Sequence, residues 1–240
     1  RLLKPHEQNL EGVFGQLQNI AWTNHGPVLP EDVSLLQAKA MVTHQSVVVT
    51  HVDKFPYMVN YHIPSGVRIA DGSRVRLGAY LGEGTTIMPA GFVNFNAGTL
   101  GNAMIEGRVS AGVIVGEDSD VGGGASIMGT LSGGNDHVIS VGKKCLLGAN
   151  SGIGISLGDG CTVAAGVYVT AGKKVTLLNE NNEAVDQNGN PVPAGQNIVK
   201  AAALSGSDYR LFIEDSQTGE LICKPNTKVI QLNEALHSNA

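Results

Sequence analysis

Aromatic side chains are scarce in this chain and charge is thin: Phe, Trp and Tyr make up 5% of the 240 residues, and Asp, Glu, Lys and Arg only 15%. With so few rings, burial has to come from aliphatic side chains. The 16 basic residues are scattered and outnumbered by 21 acidic ones, for a net charge of -5. That balance leaves no cationic footprint for nucleic acid or an anionic membrane. Cys145, Cys161 and Cys223 are odd in number and lack CxxC spacing, which excludes a disulfide framework and a cysteine zinc site and reads as reduced thiols packed as small hydrophobes in a cytoplasmic protein. No apolar run approaches a membrane span and no signal-peptide pattern opens the chain. The first residue is Arg1 rather than methionine, so a preceding segment is expected.

Glycine, by contrast, is abundant. Thirty-two glycines weaken ordinary helices and strands unless the backbone needs tight corners, so a repetitive, corner-rich architecture is indicated. From Ile69 an aliphatic or small residue recurs at every sixth position: Val75, Leu81, Ile87, Val93, Thr99, Ile105 and Ala111. The series then shifts phase and continues as Val115, Val121 and Ile127, as Val141, Leu147 and Ile153, and as Leu157, Val163, Val169 and Val175. Six residues are neither a helical period nor a plain strand alternation. They fit a short strand and a turn, three of which close one triangular coil. Stacked coils pair strand on strand about 4.8 Å apart, with the repeated aliphatic inward. No coil is stable alone, but a stack is.

The flanks read differently. Residues 30–41, "PEDVSLLQAKAM", open with proline and two acids and then space Val33, Leu36 and Ala40 helically, which predicts a helix. "SVVVT", Ser46 to Thr50, predicts a strand. After the coils, "VDQNGNPV" predicts a hairpin at its Asn-Gly turn, "YRLFIEDSQTGELI" a second hairpin turning at residues 215–219, and the segment from Val229 a short helix. Residues 128–140, "MGTLSGGNDHVIS", interrupt the coils with a Gly-rich loop that either approaches a ligand or neighbouring subunit or is a plain surface insertion. The expected division is an α/β flank over 1–66, the coils over 67–178 with the loop 128–140 inserted, and C-terminal hairpins with a short helix over 179–240.

Of the histidines only His137 falls within the coil region, in the inserted loop, where an exposed side chain is the default. A coil-borne imidazole base is therefore missing. Glu106 stands out instead, a carboxylate among aliphatic and very small residues in "NAMIEGRVSAGVIVG", at or just past a corner. On spacing alone it is either a solvated outward glutamate or a catalytic group.

The hexad pattern resembles the hexapeptide-repeat acyltransferases. The strings "GFVNFNAGTLGNAMIEGRVSAGVIVG", "SDVGGGASIMGTLSGG" and "CLLGANSGIGISLGDGC" resemble, more narrowly, the longer-chain variety of the tetrahydrodipicolinate N-succinyltransferase family. The resemblance implies a left-handed parallel β-helix, a homotrimer with active sites between subunits, succinyl-CoA as co-substrate, a small dicarboxylate acceptor and a role in lysine and diaminopimelate biosynthesis. It also implies a further N-terminal domain. Carried over, the family's catalytic glutamate falls on Glu106, and acyl-CoA contacts fall on Arg108, Gly123, Ser126, Ala149, Ala164, Ala165, Gly172 and Lys200. Ile213, Glu214, Asp215 and Ser216 complete the set, although relatives carry basic residues where this chain has "IEDS". Acidic metal ligands of some relatives match Ser73 and Ala90, neither a carboxylate, so no metal is expected.

Arg74, Arg76, Lys143, Lys144, Lys173 and Lys174 are weaker candidates for pairing with substrate carboxylates or coenzyme phosphates. Two other readings stay open. One is a hexapeptide acyl-CoA transferase for a sugar nucleotide or amino acid; the other is a non-catalytic β-helix scaffold, which predicts ladders of identical outward residues that this sequence lacks.

Overall fold

A computed structural model describes residues 12–130 and 137–228. Most of them form a three-faced stack of coils in which successive two-residue strands join three different parallel ladders in fixed rotation. On the first face Ile69, Ile87, Ile105, Val121, Leu147, Val163 and Phe212 lie in register one above another. Val75, Val93, Val109, Ile127, Ile153 and Val169 form the second column, and Leu81, Thr99, Val115, Val141 and Leu157 the third. All but Ile69 are buried, so the three columns meet as one core. Each of these aliphatic side chains contributes about 1.5 to 3 kcal/mol before chain entropy is set against it. Thr99 is the polar exception, and its hydroxyl shares a hydrogen bond of 2.7 Å with Thr85.

Two members of the sixfold series are not where the spacing puts them. Ala111 is half-exposed at a turn, and the inward position after Ile105 belongs to Val109, only four residues on. The coil from Ile105 to Val121 therefore takes 16 residues where the two coils before it take 18. Val175 is buried but lies outside the three columns, in Lys174–Leu177, which pairs antiparallel with Ile198–Lys200 and parallel with Leu221–Pro225. The rung above Leu157 comes from a later segment, through Gly206 N–H to Ser156 O (2.9 Å) and Gly158 N–H to Ser207 O (3.1 Å).

Before the coils, Gly26–Val28, Ile20–Thr23 and Val49–Asp53 form an antiparallel sheet, with the helix Val33–Val42 preceded by a 3-10 turn at Pro30–Asp32. The expected helix is present, whereas the strand begins at Val49 rather than Ser46, since Val48 N–H is taken by the Asn24 side chain. Arg76 fixes this sheet to the coils: Nη2 donates to Asp53 at 2.8 Å, Nη1 to Asn94 at 3.1 Å, and the guanidinium lies over the Phe55 ring.

The second C-terminal hairpin forms as Arg210–Glu214 with Leu221–Pro225, and its turn is held by the Asp215 carboxylate accepting from the N–H groups of Gln217 and Thr218. The Asn-Gly segment is held by single bridges, Leu178 to Ala184 and Val185 to Pro191, rather than by paired strands. Its turn is built on Asp186, whose carboxylate accepts from Asn188 N–H, Asn190 N–H and Asn190 Nδ2. The helix expected from Val229 and part of the 128–140 loop lie outside the described residues.

Candidate active site

Where the first face turns into the second, each coil contributes a short corner, and the corners form one edge of the stack. Glu106 and Gly107 make up the shortened corner of this edge, and both of their N–H groups donate to the Val121 carbonyl, at 2.8 and 3.1 Å. A side chain at Gly107 would collide with the Ala125 carbonyl, so the two-residue corner depends on glycine there. The next corners along the edge carry Gly123, then Ala149, then Ala164 and Ala165; past them the last strand runs on through Ile213 and Glu214 to the hairpin turn at Asp215 and Ser216. Nine of the thirteen residues inferred for catalysis and acyl-CoA contact thus directly follow, or run on from, the first-face strands along a single edge.

The Glu106 side chain is half-buried and leans along this edge toward the next coil. A Cβ added to Gly123 would lie 3.5 Å from Glu106 Oε2, so the carboxylate rests against a position that has no side chain. The backbone of the edge also has spare donors. Gly124, Asn150 and Gly166 donate to the corner before them, namely to the carbonyls of Glu106, Gly123 and Ala149. The N–H groups of Gly123, Ala149 and Ala165 have no hydrogen-bond partner among the described residues. The edge where the third face turns into the first is closed by contrast: Lys143 N–H is capped by Asp159 Oδ1 and Asp159 N–H by Asp208 Oδ1, both at 2.7 Å. One edge thus presents unpaired donors and a carboxylate, while another caps its donors with its own aspartates.

Arg108 and Ser126 occupy neighbouring rungs on the outer side of the second face, in register with Phe92 before them and Gly152 after. Arg108 is exposed and has no ion pair among the described residues. Tyr168 follows Gly152 in this column, and its ring lies across the Gly152 α-carbon. Neither the sixfold period nor the resemblance singled out Tyr168; its pairing with a glycine sixteen residues earlier is the signal that would have found it.

Gly172 and Lys200 stand apart from the edge: Gly172 follows Tyr168–Thr170, the last strand of the second face, and Lys200 ends Ile198–Lys200, in the sheet that continues the first face. Lys200 faces Lys174 across an antiparallel pair, Ala201 N–H donates to Lys173 O, and nothing lies within 4 Å of a Cβ placed on Gly172. Two like charges directly opposed in a sheet are unfavourable unless an anion joins them.

Three of the weaker cationic candidates fall elsewhere. Lys143 belongs to the closed edge and pairs with Glu117 at 3.0 Å, which holds its amine above the usual lysine value. Arg74 sits 3.7 Å from Asp71, whose carboxyl is held low chiefly by the Ser73 hydroxyl and N–H. Arg76 is committed to Asp53. All three cysteines are free and buried. The neighbouring Cys161 thiol, together with burial, pushes Cys145 far up, and burial pushes Cys223 up to about 12, so neither serves as a thiolate nucleophile. Among the described residues no group of three or more His, Cys, Asp or Glu side chains converges, and no helix is long and apolar enough to cross a membrane.

Comparison with known proteins matches this layout. The model for the middle region of tetrahydrodipicolinate N-succinyltransferase matches residues 17–57, and that for the hexapeptide repeat of succinyl-transferase matches residues 138–171. The 2,3,4,5-tetrahydropyridine-2,6-dicarboxylate N-succinyltransferases of Pseudomonas aeruginosa and Vibrio cholerae are 56% and 54% identical to this chain over 239 residues. The chain belongs to the tetrahydrodipicolinate N-succinyltransferase family. It aligns over its whole length with both relatives and spans 66% of theirs. A solved Campylobacter jejuni structure, described as a 2,3,4,5-tetrahydropyridine-2-carboxylate N-succinyltransferase, superposes with a TM-score of 0.82 at 44% identity, over 95% of this chain and 60% of that one. The family's repeat model ends at residue 171, next to Thr170, where the last strand of the second face ends.

Proposed function

We propose that this chain carries the acyl-transfer centre of a tetrahydrodipicolinate N-succinyltransferase. In this reading the three-faced stack is a left-handed parallel β-helix, three copies assemble in the cytoplasm, and the Glu106 edge lies against a neighbouring subunit. Succinyl-CoA is the donor and the ring-opened L-2-amino-6-oxopimelate form of tetrahydrodipicolinate the acceptor. The names of the relatives support the chemistry, and one observation supports the place: a carboxylate beside a row of unpaired backbone N–H donors on an otherwise small-residue edge.

The chemistry that these groups can perform is acyl transfer. Attack of the acceptor amine on the thioester carbonyl forms a C–N bond, breaks the C–S bond and releases the coenzyme thiol; negative charge collects on the carbonyl oxygen in between. The N–H groups of Gly123 and Ala149 are suited to that oxygen because they need not give up an internal partner to reach it. Glu106 either takes the amine's proton as general base or first accepts the succinyl group as a mixed anhydride, which the amine then opens. The exposed Arg108 guanidinium is suited to a substrate carboxylate, with Ser126 beside it. Small residues at Gly123, Ala149, Ala164 and Ala165 leave room for the extended pantetheine arm. Lys200 and Lys174, opposed near Gly172, would meet the coenzyme phosphates, with Ile213, Glu214, Asp215 and Ser216 bordering the end of the groove.

Glu106→Gln tests the reading. The variant is expected to keep its assembly state and thermal midpoint while losing turnover with succinyl-CoA; full activity would refute the role. A trapped succinyl-enzyme, or ping-pong kinetics, would assign the anhydride route. Turnover with acetyl-CoA in place of succinyl-CoA would move the chain to a different acyl transfer.

A further inference from the structure

The end of the stack holds a concave feature lined by none of the residues of the Glu106 edge. A cavity of about 330 Å³ lies between the final strands of the first face and the Asp186 turn, walled on its apolar side by Leu177, Val185 and Pro225. Arg210 lines it from the last rung. Side chains alternate along a strand, and Phe212 continues the buried column above Val163, so Arg210, two residues earlier, points the same way. Its N–H donates to Cys161 Sγ at 3.4 Å, which seats the residue over the core.

The Arg210 Nε is sealed from solvent and has no hydrogen-bond partner, and the guanidinium forms no ion pair among the described residues. Arg210 as a whole is half-buried, but a sealed N–H with no acceptor is costly to maintain. The acidic residues lining the same cavity do not relieve it. Asp186 spends its carboxylate on Asn188 and Asn190 within its own turn, and Glu180 is exposed and not paired with Arg210. Nε is out of reach of anything in the cavity, so Arg210 offers a carboxylate its two terminal Nη groups, which can hold it bidentately. The aliphatic wall fits a hydrocarbon body, whereas the carboxylates of Asp186 and Glu180 oppose a second negative group.

We propose that this cavity is a binding site for a small aliphatic monocarboxylate, with the carboxylate on Arg210 and the hydrocarbon body against Leu177, Val185 and Pro225. The site is separate from the proposed acyl-transfer edge and does not depend on that assignment.

Pentanoate is the probe, titrated into the full chain by calorimetry, with glutarate, inorganic phosphate and pentylamine as comparisons. Pentanoate is expected to bind at least tenfold more tightly than the other three. Arg210→Met is expected to weaken pentanoate at least tenfold, and Arg210→Lys less. Asn181→Trp, at an exposed position on the cavity wall, is expected to block binding without disturbing the fold and so stands in should Arg210→Met fail to fold. Glu106→Gln is expected to leave pentanoate binding unchanged. Phosphate, glutarate or pentylamine binding as well as pentanoate, no binding of pentanoate at all, or pentanoate binding that survives Asn181→Trp or is lost in Glu106→Gln, would overturn the proposal.

Discussion

At the scale of single residues, the proposed chemistry rests on how close the Glu106 carboxylate lies to Gly123. A carboxylate that approaches the backbone of the next coil this closely leaves no room for a large side chain there, yet an added methyl would meet Oε2 at an ordinary contact distance of 3.5 Å. Gly123 also lies outside the left-handed backbone region, so substitution carries no conformational penalty. Gly123→Val is therefore expected to fold with a thermal midpoint close to that of the parent. It should displace the carboxylate and lower kcat/KM for succinyl-CoA by at least about tenfold, roughly 1.4 kcal/mol of transition-state stabilisation. Steady-state kinetics alongside a thermal melt separates the two effects; a normal kcat/KM would show that the contact has no part in turnover. Glu106 itself was not decided by spacing, which left an outward glutamate open as a solvated side chain. The resemblance selected it, and the partnerless N–H groups beside it have no signature in the sequence, because they are defined by which bonds the fold leaves unmade.

Among the elements, the repeat was legible for a physical reason: each rung needs one inward aliphatic, and that demand recurs at a fixed interval. Its errors are equally physical. Counting by six placed Ala111 inside because the real step shortens to four at Glu106 and Gly107, where a glycine lets the chain turn in two residues. It placed Val175 inside because the position is indeed buried, although the chain has already left the stack for a mixed sheet, and a segment about thirty residues later supplies the rung. Long-range pairings of this sort leave no local period.

The Asp186 turn belongs to the same scale. The Asn190 side chain, helped by the N–H groups of Asn190, Asn188 and Gly189, holds the Asp186 carboxyl below its ordinary value of 3.8. A carboxyl lowered in the folded state adds stability above its unfolded pKa, and that stability is lost as the pH falls through the folded pKa. Asp186→Ala is expected to be less stable than the parent at neutral pH, with the difference shrinking as the pH drops below 3.8. Urea unfolding at several pH values measures this; a difference independent of pH would show that the charged carboxylate is not what holds the turn.

For the whole molecule, the stack works as a ruler. Coils about 4.8 Å apart set the Glu106 corner and the unpaired donors at successive heights along one edge, and in the proposed function an extended thioester is read along that edge by backbone rather than by large side chains. The scarcity of aromatic and charged residues follows from the same plan, since the edge requires small residues and the core only one aliphatic per rung. The central claim is that Glu106 and the Gly123 and Ala149 N–H groups face the reacting carbonyl. A crystal structure of the full chain with succinyl-CoA tests it most directly. The account predicts the thioester carbonyl within hydrogen-bond reach of those donors, with the Glu106 carboxylate beside it and a neighbouring subunit covering the groove. A thioester bound on another edge, or Glu106 facing bulk solvent away from it, would contradict the account.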